Sequence, residues 1–239
     1  MRRRRATLIL IGATLLLSML GTAMPQILAD TQKLIPSVTL PWQQQADMPV
    51  VQGEPGTALD GLSKLEVKGR APKTGYSRDQ FGSGWATVNG CSTRDIIMHR
   101  DLINIALADD CSVATGLLND TYTGKPIEFT KENASIIQID HVVALSDAWQ
   151  TGAQLITPEL RQQLANDPLE LLAVSGKENQ KKSDANAASW LPPNKPFRCE
   201  YIARQIAIKQ KYTLWVTPPE HEAMQNVLTS CPSQPLPIL

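Results

Sequence analysis

Between residues 136 and 184 the chain carries an order of segments that few folds accommodate. An apolar, β-branched run, Ile136-Ile137-Gln138-Ile139, ends in Asp140-His141-Val142-Val143. After an excursion comes a second short apolar run, Leu169 to Val174, and beyond Gly176 the polar segment Asn179-Gln180-Lys181-Lys182-Ser183-Asp184. β-Branched runs bounded by polar residues favour strands, and the segment after Gly176 suits a helix. The order is therefore strand, excursion, strand, helix. If the strands pair and the helix packs over them, His141 and Asn179 can face each other. An imidazole titrates near neutral pH and can take a proton from water. Carboxylate and amide oxygens are hard ligands suited to Mg²⁺ or Mn²⁺. An ammonium can meet charge developing on a phosphate. Together these are the groups that a one-metal phosphodiester-cleaving site requires.

Overall composition gives no such pointer. Lys plus Arg and Asp plus Glu both number 23, so the formal net charge is zero. Proteins that make many phosphate contacts are usually basic. Neutrality argues against tight non-specific binding of nucleic acid, but a nuclease site needs only local positive charge. Such charge gathers late in the chain, at Lys177, Lys181, Lys182, Lys195, Arg198, Arg204, Lys209 and Lys211.

The chain opens as an export segment. Four arginines, Arg2 to Arg5, precede an apolar stretch from Ala6 to Ala23, and Ala23 and Ala29 offer small-residue cleavage points. At about 18 residues the stretch also nears the lower limit for a spanning helix, so a retained membrane anchor is the alternative. The expected location is thus outside the cell or on the outer face of a membrane. Four cysteines, Cys91, Cys111, Cys199 and Cys231, suit an oxidising space and favour two disulfides. Of the three connectivities, the most local is expected: Cys91–Cys111 with Cys199–Cys231. No C-x-x-C pair is present and the histidines His99, His141 and His221 are scattered, which argues against zinc.

Residues 1–29 are read as signal or anchor, 30–75 as a Pro-rich extended linker, 76–231 as one domain, and 232–239 as a tail. Roughly 155 residues suffice for a real core. Within the domain, Ser92 to Ala106 reads as a helix and Val113 to Phe129 as a hairpin turning at 119–124. Ile136 to Val143 and Leu169 to Val174 read as strands. Helices are expected at 146–153, 158–166, after Gly176, at 196–211 and at 217–228. His99 and His221, outside the motif, read as surface residues. Trp149, Trp190 and Tyr201 read as core or lid aromatics.

The chain resembles HNH-type nucleases, in particular the secreted branch typified by the C-terminal domain of GmrSD modification-dependent restriction enzymes. The residues that carry the likeness include Gly90-Cys91-Ser92-Thr93-Arg94, Arg100-Asp101-Leu102, Thr121-Tyr122-Thr123-Gly124, Asp140-His141-Val142-Val143-Ala144-Leu145, Asn179-Gln180-Lys181-Lys182 and Ser189-Trp190-Leu191-Pro192-Pro193, in the family's order. The resemblance implies an α+β domain: a ββα-metal (HNH-like) core, a small antiparallel sheet and surrounding helices, linked by disulfides. It implies a metal-dependent endonuclease acting on DNA, or on RNA. Asp140 and Asn179 would be the ligands of Mg²⁺ or Mn²⁺, His141 the general base, and Lys182 a catalytic charge stabiliser where many HNH proteins have a second histidine. Arg94, Arg100 and Lys181 are candidate substrate contacts. Two other readings remain: a non-catalytic exported envelope or interaction protein, and a hydrolase of another phosphodiester, such as a teichoic-acid linkage. No protein partner is expected, and membrane contact only if the N-terminal segment is retained.

Overall fold

The computed structural model describes residues 53–237. The export segment and the linker up to residue 52 lie outside the described residues. Among the described residues, no helix is long and apolar enough to cross a membrane.

Short helices surround three small antiparallel sheets, an α+β arrangement. Helix α1 (Ala58–Ser63) comes first, with Thr57 accepting a hydrogen bond from the Asp60 amide at 3.3 Å. β1 (Thr87–Val88) and β2 (Cys91–Ser92) form a minimal hairpin before α2 (Thr93–Asp101). β3 (Leu102–Leu107), β4 (Val113–Asp120) and β5 (Lys125–Thr130) follow in the order β3-β4-β5. β6 (Ile137–His141) pairs with β7 (Leu171–Ser175), His141 opposite Leu171 and Ile137 opposite Ser175. The excursion between them holds α3 (Leu145–Gln150) and α4 (Pro158–Ala165). α5 (Gly176–Lys182) leaves β7 directly, and α6 (Arg198–Lys211) and α7 (Pro218–Leu228) close the fold.

The β6–β7 pair lies between two apolar clusters, which explains why β7 reads as an unbroken apolar run. Leu171 and Ala173 join Ile97, Met98, Leu118 and Phe129 on one side. Leu172 and Val174 join Tyr122, Val142, Tyr201, Ile202 and Ile206 on the other. On β6, Ile137 and Ile139 enter the first cluster. Period-2 alternation then sends Gln138 and Asp140 to the opposite face, where both bond to side chains of α5.

Three differences from the sequence reading have physical causes. First, the chain from Gly53 is not extended linker throughout. Ala58, Leu59 and Leu62 are buried, and α1 packs on α6 and α7. The expected tail is engaged as well: Pro235 bridges to Thr57, and Leu236 packs on the core. Second, the helix expected over 92–106 stops at Asp101, and Leu102–Leu107 is a strand. Arg100 donates to the carbonyls of Pro168 (2.6 Å) and Leu171 (2.7 Å), and Asp101 accepts from the Ala173 amide (2.8 Å). These bonds tie the helix end to β7, and the chain beyond pairs with β4. Third, His99 and His221 are not surface residues. His221 is buried, and half-buried His99 bonds through Nε2 to the Cys111 carbonyl at 2.7 Å.

The cysteines pair as Cys91–Cys111 and Cys199–Cys231. The first bridge ties β2 to the β3–β4 connection, and the second ties α6 to the residues after α7.

Candidate functional site

The site forms where β6 ends over the start of α5. Ser175 accepts from the Glu178 amide at 3.5 Å, capping α5. Gly176 is needed at its first position, because a Cβ there would collide with the Ser135 carbonyl oxygen. The helix can therefore lie close to the segment before β6. Asn179 and Lys182 are one turn apart and share the face turned to β6.

His141 is buried at the strand end. Its Nε2 lies 3.0 Å from the Ala165 carbonyl oxygen. A carbonyl only accepts, so Nε2 carries the hydrogen and Nδ1 keeps its lone pair. The Trp85 ring lies parallel to the imidazole, 3° between planes and 5.7 Å between centroids. Burial, then the charges of Arg78 and Lys182, lower the imidazole pKa to about 3, against the opposing effect of the Ala165 bond. The ring is neutral at physiological pH, and a weaker base than an unperturbed imidazole.

Asp140 is held by two buried donors. Lys182 Nζ lies 2.9 Å from its Oδ1, and the Tyr122 hydroxyl donates to its Oδ2. Burial lifts the carboxyl above its usual range, while Lys182 and Tyr122 pull it back. Burial and the neighbouring carboxylate push the Tyr122 phenol well up, so it stays a donor. Lys182 Nζ also donates to the His141 carbonyl at 2.7 Å. That one ammonium thus fixes both residues of the Asp-His pair.

A cleft of about 770 Å³ opens over these residues. Asp140, His141 and Asn179 line it together. Arg94 also lines it, with Asp95 at 3.8 Å. Three candidates stand elsewhere. Lys182 is fully buried in its ion pair, where an ammonium cannot meet a phosphate in the cleft. Lys181 pairs with Glu178 at 2.7 Å, and Arg100 ties α2 to β7; neither lines the cleft. The late cluster of positive charge is thinned in the same way, since Lys209 is buried against Asp147 and Glu220.

Other residues complete the site without a sequence pattern that marks them. Lys73, Tyr76, Arg78 and Trp85 form part of the cleft wall from the segment before α2. Asp184 lies at the cleft and pairs with Lys73 at 3.1 Å, which holds its carboxyl below the usual range. Tyr122 lies in the Thr121–Gly124 stretch that carries the family likeness, and this was the signal that could have found it.

Asp140 and Asn179 are the cleft residues whose oxygens could hold a divalent ion. Asn179 Nδ2 donates to Gln138 Oε1 at 3.0 Å, which leaves Asn179 Oδ1 without a partner among the described residues. The two Asp140 oxygens accept side-chain bonds from Tyr122 and Lys182. Among the described residues no group of three or more His, Cys, Asp or Glu side chains converges. An ion here would rest on two protein oxygens, with water and substrate filling its shell, as Mg²⁺ commonly does.

The chain matches the family model described as "GmrSD restriction endonucleases, C-terminal domain" over residues 94–227, more than half of its 239 residues. It belongs to that family. Asp140, His141, Asn179 and Lys182 fall inside the matched span, while Arg78 and Trp85 precede it. The chain is also similar to an "Uncharacterized secreted protein" of Arthroderma benhamiae (strain ATCC MYA-4681 / CBS 112371). The two are 39% identical over 178 residues, covering 73% of this chain and 85% of the relative. No solved structure matches the chain.

Proposed function

We propose that the protein is an exported, metal-dependent nuclease of the HNH type that hydrolyses phosphodiester bonds, with DNA as its substrate. One observation carries the reading: His141, whose Nε2 is engaged by the Ala165 carbonyl so that Nδ1 is left unprotonated, lines the same cleft as Asp140 and Asn179. The antiparallel β6–β7 pair followed by α5 supports a ββα core around these residues. His141 takes a proton from the attacking water. Asp140 and Asn179 would hold Mg²⁺ or Mn²⁺, which when bound supplies Lewis-acid stabilisation of charge on the phosphoryl and leaving oxygens. Lys182 and Tyr122 serve by holding Asp140 in place. Export is supported by the N-terminal segment, the two disulfides and the secreted description of the fungal relative.

A second reading, a non-catalytic exported protein that keeps the fold, is favoured by one feature: both Asp140 oxygens already accept bonds from protein donors. Plasmid DNA incubated with oxidised protein lacking residues 1–29 separates the two. Cleavage with Mg²⁺ or Mn²⁺ that stops on adding EDTA is expected of the nuclease. Intact plasmid with both ions would support the binding reading.

A further inference from the structure

We propose that Arg78 is a catalytic residue of this site, its guanidinium gripping the non-bridging oxygens of the scissile phosphodiester and stabilising the charge that builds there. This rests on the nuclease reading.

The first argument is position. Beside the main cleft lies a second cavity of about 190 Å³, lined by the Gly82-Ser83-Gly84 loop among others. Arg78, Trp85, His141 and Leu145 line both spaces and so mark their junction. A polymer cut internally must leave the reacting phosphate in two directions. Two spaces that share His141 in their walls give it room to do so.

The second argument is availability. The other cations near the cleft are engaged. Lys73 pairs with Asp184, Arg94 lies beside Asp95, and Lys182 is buried on Asp140. The side chain of exposed Arg78 makes no hydrogen bond or ion pair among the described residues.

The third is rigidity. Arg78 opens a 3₁₀ turn, Arg78–Phe81, whose Phe81 side chain is buried. Buried Arg161 donates through Nε to the Gln80 carbonyl at 2.8 Å and fixes the turn to α4. The backbone that carries Arg78 is thereby fixed at the cleft wall, and its exposed side chain is left to reach a phosphate. The planar guanidinium fork also matches two phosphate oxygens at once. In the step itself, water oxygen bonds to phosphorus and its proton passes to His141 Nδ1. The bond from phosphorus to the leaving sugar oxygen breaks with its electron pair, and that oxygen takes a proton from solvent. Arg78 stays on the phosphoryl oxygens throughout.

The test is single-turnover and steady-state cleavage of duplex DNA with Mg²⁺ by wild type, Arg78→Ala, Arg78→Lys and His141→Ala, with thermal unfolding of each. Arg78→Ala is expected to lower kcat by about 10²–10³-fold, the loss typical of one removed oxyanion donor. KM should change little, the melting midpoint should match wild type, and added methylguanidine should restore part of the rate. Arg78→Lys should be intermediate. Turnover by Arg78→Ala within about twofold of wild type, or a loss confined to KM, would overturn the assignment, the scale being the expected donor effect. If His141→Ala is inactive in that same experiment, the nuclease reading stands without Arg78. An inert wild type would remove the nuclease reading, and the role of Arg78 with it.

Discussion

Lys182 Nζ lies 2.9 Å from Asp140 Oδ1, with the two side chains only 0% and 6% exposed. Such a pair is far costlier to break than to replace, because the survivor is left as an uncompensated buried charge. Lys182→Met should therefore destabilise the fold by about 3–5 kcal/mol. Adding Asp140→Asn should recover part of that loss. Urea unfolding of the three proteins measures both effects. A single variant as stable as wild type would show that the ion pair does not hold the strand end.

The bridges Cys91–Cys111 and Cys199–Cys231 span sequence separations of 20 and 32. Closing loops of that size restricts the unfolded chain by about 3–4 kcal/mol each in the chain-entropy model. Replacing both cysteines of either pair by serine should lower stability by about that amount. Peptide mapping without reductant should find each pair intact in wild type, and free thiols there would contradict the fold.

Gly176→Ala forces a methyl group against the Ser135 carbonyl oxygen. Overpacking at such a contact costs about 1–3 kcal/mol. The strain falls at the start of α5, so the loss of stability should come with a higher Mg²⁺ requirement through displacement of Asn179. Unfolding curves and a Mg²⁺ titration of any cleavage activity check the two effects separately.

His141 also ties stability to pH. Its pKa falls from 6.5 to about 3 on folding, chiefly through burial. Between those values the unfolded chain binds a proton that the folded chain does not. The stabilisation is complete above the unfolded value and is lost as pH falls toward the folded one. Over pH 7 to 4 this group should contribute a loss of roughly 3 kcal/mol. Burial raises the carboxyl pKa values of Asp140, Glu170 and Glu220, which work in the opposite sense. The measurement is therefore a comparison of wild type with His141→Asn. The variant should lose less stability on acidification, and parallel curves would contradict a buried neutral imidazole.

Much of this was legible in local pattern. The β-branched run before Asp140, the apolar run after the excursion and the polar segment beyond Gly176 each signal their own element, so strand, strand and helix could be read in order. The cysteine pairs were legible because the closest pairing in sequence is also the one in space. Where tertiary bonds decide, the sequence was silent or misleading. Ile96, Ile97, Leu102 and Ile105 mimic a helical stripe, yet the clamp of Arg100 and Asp101 on β7 ends the helix before Leu102. Nothing local reveals that Lys182 turns inward to Asp140, 42 positions away, and not outward to substrate. Arg78 lies on a turn anchored by Phe81 and Arg161, and Trp85 precedes Ala86, whose amide donates to Asn166, contacts without periodicity.

The central claim is that His141 is the base of a phosphodiester-cleaving site, and single-turnover cleavage of duplex DNA by wild type and His141→Ala at saturating Mg²⁺ tests it most directly. Removing a general base costs about 10²–10⁴ in rate, and Asp140 and Asn179 remain to bind the ion. The account predicts a loss of that size, with an unchanged Mg²⁺ requirement for the residual activity. Cleavage by His141→Ala at the wild-type rate, or wild-type cleavage that survives EDTA, would contradict it.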